Sequence, residues 1–280
     1  MRRRAAPLMG ADPRSAAQEG SDAGLAPSAP ESSAPEAVGL RRATRADLHA
    51  LPVEVAPRLL GARLRTIVDG AEVRIRITEV EAYHGAGTGD VADPGSHARM
   101  GRTARNATMW GEAGHLYVYL SHGIHSCVNV VAGPEGAAGG ILLRAGEVEV
   151  GAEVAAARAE LRRSGGSSGR PAAAAGPSTE FRTSAVRQRD LARGPGRFGR
   201  ASGLRHPRHD GIDAIAGTEQ AGARAELWLA EPLAEVASGP RVGVAGTAGT
   251  AAFPWRFWIP GDPTVSPFRW GRGAAEAAGL

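Results

Sequence analysis

Alternation of apolar and polar positions comes in short runs along this chain, separated by Gly- and Pro-rich breaks. Val73, Ile75 and Ile77 alternate with Arg74 and Arg76, the period of a half-exposed strand. Tyr117 and Tyr119 alternate with Val118 and Leu120 until a polar tip, Ser121-His122-Gly123, interrupts the run. Strand-like alternation then resumes over residues 124–131, so the two segments predict a hairpin. Residues 141–144 predict a short buried strand, and residues 227–229, 241–244 and 256–259 predict three more. Helices are expected over 44–61, with Gly61 as the stop and Pro57 as an irregularity, and over 147–162. Strands joined by hairpins, without regular helix crossovers, place the fold in the α+β class.

The apolar pattern also divides the chain. Residues 1–43 are mostly Ala, Pro, Ser, Glu and Gly, which bury too little surface to offset their ordering entropy. They are expected to be a disordered tail. Residues 164–178 have a similar character and predict a flexible insertion within the folded part, 44–271. Residues 272–280 are expected to be a C-terminal tail.

Composition narrows the chemistry. Of the 280 residues 42% are hydrophobic, enough for a sizeable core. The 33 basic residues are all arginine, and the net charge is +4. Without lysine there is no side-chain amine for Schiff-base catalysis and no P-loop lysine. One cysteine, Cys127, excludes intramolecular disulfides and cysteine-ligated clusters. No apolar run approaches the roughly 20 residues that span a bilayer. The expected setting is cytoplasmic.

Candidate chemistry lies on the first strand and in the irregular stretch after it. By period two, Glu79, Glu81 and Tyr83 continue the face begun by Val73. The carboxylates are either solvated at a strand end or include a general base at the mouth of a pocket. After them, HGAGTGDVADPGSHARMGRTARNATMW carries Arg99, Arg102 and Arg105 among small hydroxyl and amide residues, a composition suited to phosphate contacts or to an ordinary surface. His115, His122 and His125 lie close in sequence, with His84 and His97 upstream. Three histidines with a glutamate make a zinc-dependent hydrolase the rival reading.

VEAYHG, the His-containing basic loop, LYVYLSHGIHSCVN and ILLRA, in that order, resemble the alkyladenine (3-methyladenine) DNA glycosylases that lack a helix-hairpin-helix motif. LARGPGRFGRASGL, RVGVAGTAG and RFWIPGDPTVS resemble that family's C-terminal part, so the likeness covers roughly residues 44–268. The resemblance implies a catalytic domain with a mostly antiparallel curved sheet, flanking helices and a protruding β-hairpin. It implies that an alkylated purine, or a deaminated or etheno purine, is flipped from duplex DNA and released by hydrolysis, without a cofactor or metal. Tyr83, Tyr119 and His97 then fall on the stacking positions, and Glu81 on the residue that activates water. Arg144 falls on the residue that positions the water, Asn129 on the one that excludes guanine, and His122 on the side chain that fills the duplex gap. Arg99, Arg102 and Arg105 are candidate DNA contacts. The partner is damaged duplex DNA, met by a monomer in the bacterial cytosol, at the nucleoid. The non-enzymatic rival is a protein that binds lesions without cutting. The hairpin register bears on all of this. With a two-residue turn at His122-Gly123, Asn129 faces away from Tyr119, so a longer loop or a bulge is expected.

Overall fold

Eleven strands appear in the computed structural model, which describes residues 39–85, 91–164 and 187–280. In chain order they are β1 Arg41–Arg42, β2 Arg63–Val68, β3 Ala71–His84, β4 His115–Ser121, β5 His125–Val130 and β6 Gly139–Val150. The remaining five are β7 Ala192–Arg193, β8 Ile212–Asp213, β9 Ala223–Leu229, β10 Ala237–Gly239 and β11 Arg256–Trp258. The sheet path runs β1-β9-β2-β3-β6-β5-β4-β8, with β10–β11 added to β3 and β7 added to β6. All its pairings are antiparallel. The helices are few and short: α1 Pro52–Val55, α2 Ala152–Ser164, α3 Pro195–Ser202 and α4 Ala274–Ala277. This is the expected α+β fold with a curved antiparallel sheet.

Local chemistry accounts for the elements. Asp69 and Gly70 take positive φ, 51° and 79°, the two-residue turn that closes β2 onto β3. Leu64, Ile75, Ile77, Leu116, Val118, Ile141 and Leu143 point into one core, which Phe198 of α3 caps. At Gly199 a Cβ would stand 1.9 Å from the Ser126 carbonyl oxygen, so only glycine lets α3 lie this close to β5.

Several expected boundaries shift. Residues 44–61 form no continuous helix but a 3₁₀ turn Ala46–Leu48, α1 and a second 3₁₀ turn Ala56–Leu59. Pro52 and Pro57 lack the N–H that a longer ladder needs, and Leu51 is held extended before Pro52. The helix expected from 147 begins at Ala152, because β6 continues to Val150 and Gly151 turns at φ 74°. Residues 241–244 form a turn, not a strand, with Gly243 at φ 71°. Arg41 and Arg42 pair with β9, so ordered structure starts before the expected boundary at 43. Residues 274–277 form α4 with Ala274 buried, where a tail was expected. Residues 1–38 of the expected N-terminal tail, and the expected insertion beyond Ser164, lie outside the described residues.

The β4–β5 hairpin answers the register question. Ile124 N–H donates to the Ser121 carbonyl at 3.0 Å, closing a turn in which His122 and Gly123 have φ of 50° and 70°. Ile124 is then an extra residue, because the ladder restarts with Ser121 opposite His125. That single insertion sets Cys127 opposite Tyr119 and Asn129 opposite Tyr117. Opposed residues share a face, so Tyr117, Tyr119, Cys127 and Asn129 lie on the same side of the hairpin. The tip itself is exposed.

Candidate active site

Glu79 and Glu81 are wholly buried, with 0% exposure, which overturns the reading of a solvated strand end. A buried carboxylate has to be matched by donors. Glu79 accepts from Arg144 Nε at 3.1 Å, Arg256 Nε at 2.7 Å, Ser266 N–H at 2.7 Å and the Ser266 hydroxyl at 3.0 Å. Glu81 accepts from the Tyr83 hydroxyl at 2.8 Å, Arg144 Nη1 at 3.2 Å and the Val242 N–H at 2.6 Å. The register between β3 and β6 slips on both sides of Glu79, which brings Arg144 between the two carboxylates.

The two carboxylates differ in what surrounds them. The donors to Glu81, namely Tyr83, Arg144 and Val242, line a cavity of about 1070 Å³, whereas Arg256 and Ser266 do not. Glu79 therefore anchors Arg144 from behind, and Glu81 stands just under the cavity wall. Burial raises the Tyr83 phenol well above its ordinary value, and the Glu81 charge raises it further, so it stays a donor. Burial disfavours the charged Arg144 guanidinium, but Glu81 and Glu79 outweigh it and hold it cationic.

Flat side chains form the rest of the cavity. Tyr119 lies 5.4 Å from Tyr117 in a stacked arrangement, and the His97 ring meets Tyr119 edge-on at 4.5 Å. Packing of the His97 ring, aided by the Arg99 charge, lowers its pKa and favours the neutral imidazole. Tyr83 has one ring face covered by the Arg241 guanidinium at 4.6 Å.

Of the residues singled out from the sequence, Tyr83, His97, Arg99, Arg105, Tyr119, His122 and Arg144 line this one cavity. Arg102 is exposed and does not line it. Asn129 shares the face of Tyr119, but it is buried and its amide donates to the Tyr117 carbonyl at 3.0 Å. Among the described residues no group of three His, Cys, Asp or Glu side chains converges to hold a metal ion, so the histidines do not form the zinc site of the rival reading. No helix of the described residues is long and apolar enough to cross a membrane.

Residue-type patterns did not reveal Asp93 and Arg241. Both are fully buried and joined through two 2.7 Å hydrogen bonds. Asp93 also accepts from the His84 and Gly95 N–H groups and so ties down the loop that carries His97. Arg241 precedes Val242, the backbone donor to Glu81. A Cβ at Gly95 would lie 2.7 Å from Arg241 Nη2, so the loop closes on the ion pair only because that position is glycine. The one available signal was an arginine heading the glycine-rich RVGVAGTAG.

Charge is unevenly distributed. Around β2 and β3, Arg63 and Arg74 pair with Glu149, Arg65 with Glu72 and Glu226, and Arg76 with Glu147 and Asp262. Arg99 and Arg105 at the cavity, and Arg102 between them in the chain, have no ion pair among the described residues. Unpaired positive charge thus stands beside the flat side chains, an arrangement that suits a polyanion.

The geometry sets a cavity with flat, aromatic walls beside a buried carboxylate. The chain's place among known proteins is equally definite. A family model described as "Methylpurine-DNA glycosylase (MPG)" matches residues 46–263. A "Putative 3-methyladenine DNA glycosylase" of Leifsonia xyli is 46% identical over 217 residues, covering 78% of this chain and 88% of the relative. A protein of the same name from Streptomyces avermitilis is 44% identical over 228 residues, covering 80% of this chain and 90% of the relative. The chain belongs to the methylpurine-DNA glycosylase family and is a DNA glycosylase.

Proposed function

We propose that this chain flips alkylated purines such as 3-methyladenine and 7-methylguanine from duplex DNA and hydrolyses their glycosidic bond, leaving an abasic site. Deaminated and etheno purines are further candidate substrates. The observation that carries the reading is Glu81, buried, held by three donors, and placed against a cavity walled by Tyr83, Tyr119 and His97. A carboxylate has about four acceptor positions. Protein donors fill three of those on Glu81, and the fourth, on Oε1, is the position this reading gives to the water nucleophile.

The chemistry follows from that placement. Glu81 takes a proton as the water attacks C1′ of an oxocarbenium-like sugar, and Arg144 orients the water and stabilises the charge on Glu81. A methylated purine is cationic and leaves readily, so the site mainly supplies orientation and a nucleophile. Tyr83 and Tyr119 hold the base between flat faces, with His97 at the edge. Asn129, on the same face, disfavours the guanine 2-amino group, and His122 fills the gap in the duplex.

Base release from duplexes carrying 3-methyladenine, hypoxanthine or ethenoadenine tests the assignment. Glu81→Gln is expected to keep lesion binding and to lose about 10²–10⁴ in excision rate, the usual cost of removing a general base. Excision by Glu81→Gln at the wild-type rate, with Glu79→Gln impaired, would move the role to the other carboxylate.

A further inference from the structure

Beyond the family match, which ends at residue 263, the chain continues as Phe268-Arg269-Trp270-Gly271-Arg272. This segment runs along the turn that forms one rim of the cavity. Gly243 N–H donates to the Arg269 carbonyl at 2.9 Å, and Gly246 N–H to the Arg272 carbonyl at 3.0 Å. Gly243 and Val244 themselves line the cavity. The two backbones press together, since a Cβ at Gly271 would lie 2.0 Å from the Val244 carbonyl oxygen. The strip is also tied to the active site from beneath. Ser266 bonds Glu79, and Arg256, itself bonded to Glu79 and Ser266, lies 5.9 Å from the centre of the Phe268 ring.

The side chains of this strip face outward. Phe268 is 36% and Trp270 38% exposed, with their rings edge to face at 4.8 Å. Arg269 and Arg272 are exposed, and among the described residues neither has an ion pair. Two arginines without ion pairs among the described residues flank a large flat indole, one hydrogen bond from the cavity rim, and add to the charge of the Arg99–Arg105 side. Arginines interleaved with exposed aromatic rings suit a nucleic-acid backbone, with the guanidinium groups on phosphates and the ring against sugar or base.

We propose that residues 268–272 are a second DNA-contact strip, which binds the duplex next to the lesion and extends the binding face beyond the family's shared core. Arg269 and Arg272 take backbone phosphates, and Trp270 packs against the deoxyribose beside them. The inference goes beyond the lesion reading, because contacts of this kind hold undamaged and damaged duplex alike.

The test is equilibrium binding of the full chain carrying Glu81→Gln, so that no substrate is consumed, to duplexes with and without a lesion over a range of salt. Adding Arg269→Gln with Arg272→Gln is expected to flatten the dependence of log K on log salt by roughly 1–2, about 0.9 for each phosphate deprived of its arginine. Trp270→Ala is expected to weaken binding several-fold and leave the slope unchanged. Arg224→Gln, on an exposed arginine of β9, controls for the loss of a positive charge away from the strip, each arginine of the double variant being compared with it in turn. The expected losses are equal on lesion and plain duplex. A double arginine variant that binds with the affinity and slope of the Arg224→Gln control would overturn the proposal. If Trp270→Ala matches its parent, the indole has no part in it. A Glu81→Gln parent that shows no lesion preference, with the slopes behaving as expected, would count against the lesion reading alone, whereas variants that lose a preference the parent has would count against the strip.

Discussion

Asp93 and Arg241 show how much of the site depends on one buried contact. Removing one member of a buried pair leaves an uncompensated charge, which costs about 3–5 kcal/mol, whereas replacing both members is often close to neutral. Arg241→Met alone is therefore expected to be strongly destabilised, and Asp93→Asn with Arg241→Met to recover most of that stability. The double variant should still excise at least about tenfold more slowly, because Tyr83 loses its covered face and Val242 its fixed neighbour. Urea titration and single-turnover excision separate the two effects; a stable double variant with the wild-type rate would contradict them. His84 makes a prediction about pH. Burial lowers its pKa from 6.5 to about 4, its ring packs edge-on to Trp255 at 4.7 Å, and its Nε2 has no hydrogen-bond partner among the described residues. Between those values the unfolded chain binds a proton that the folded chain refuses, so stability falls as pH falls from about 6.5 to 4. His84→Phe keeps a ring there and should remove part of that slope in urea midpoints measured across this range. None of these partners was legible from residue type, because Asp93 and Arg241 stand far apart in the chain.

Among the elements, the β4–β5 hairpin carries three of the candidate site residues, Tyr119, His122 and Asn129. Its alternation was plain in the sequence, and so were the aromatic identities of Tyr117 and Tyr119. Its register was not. Ile124 is the residue that decides it, and a one-residue change would turn Asn129 to the other face. His122 sits at positive φ, which histidine adopts more readily than most residues, beside a Ser121 hydroxyl 3.0 Å from its Nδ1. If this tip fills the gap left by a flipped nucleotide, His122→Ala should slow excision from duplex and spare excision from single strands, where nothing needs filling. His122→Tyr, with a larger ring, should keep or improve duplex activity. Equal duplex rates for His122→Ala and wild type would show that the tip does not enter the helix. The strand expected at 241–244 failed for a related reason: its alternation is real, but Gly243 turns and the segment's N–H groups go to Glu81 and to Arg269.

At the scale of the whole molecule, the composition constrains the reaction. A glycosylase that also cleaves the strand by imine chemistry needs an amine, and no lysine is present in the chain. We predict that borohydride traps no covalent complex between abasic DNA and protein whose amino terminus is acetylated. A trapped complex would show that another group attacks the sugar. The all-arginine charge also has a spatial order: on β2 and β3 it is matched by glutamate and aspartate, whereas Arg99 and Arg105 at the cavity have no ion pair among the described residues.

The sequence by itself determined the fold class, the hairpin and the identity of the flat and basic residues, because strand periodicity and side-chain chemistry are local properties. It also marked Glu81 through ordered motifs that resemble one family. Only the tertiary structure decided which carboxylate lies against the cavity, since Glu79 and Glu81 are equivalent by period and differ only in their partners. Tertiary contacts likewise brought Asp93 to Arg241, laid Arg269 along Gly243, and set Asn129 on the face of Tyr119. Each of these depends on a register slip, a bulge or a glycine approach, where one residue's displacement redirects a side chain and no local pattern records it.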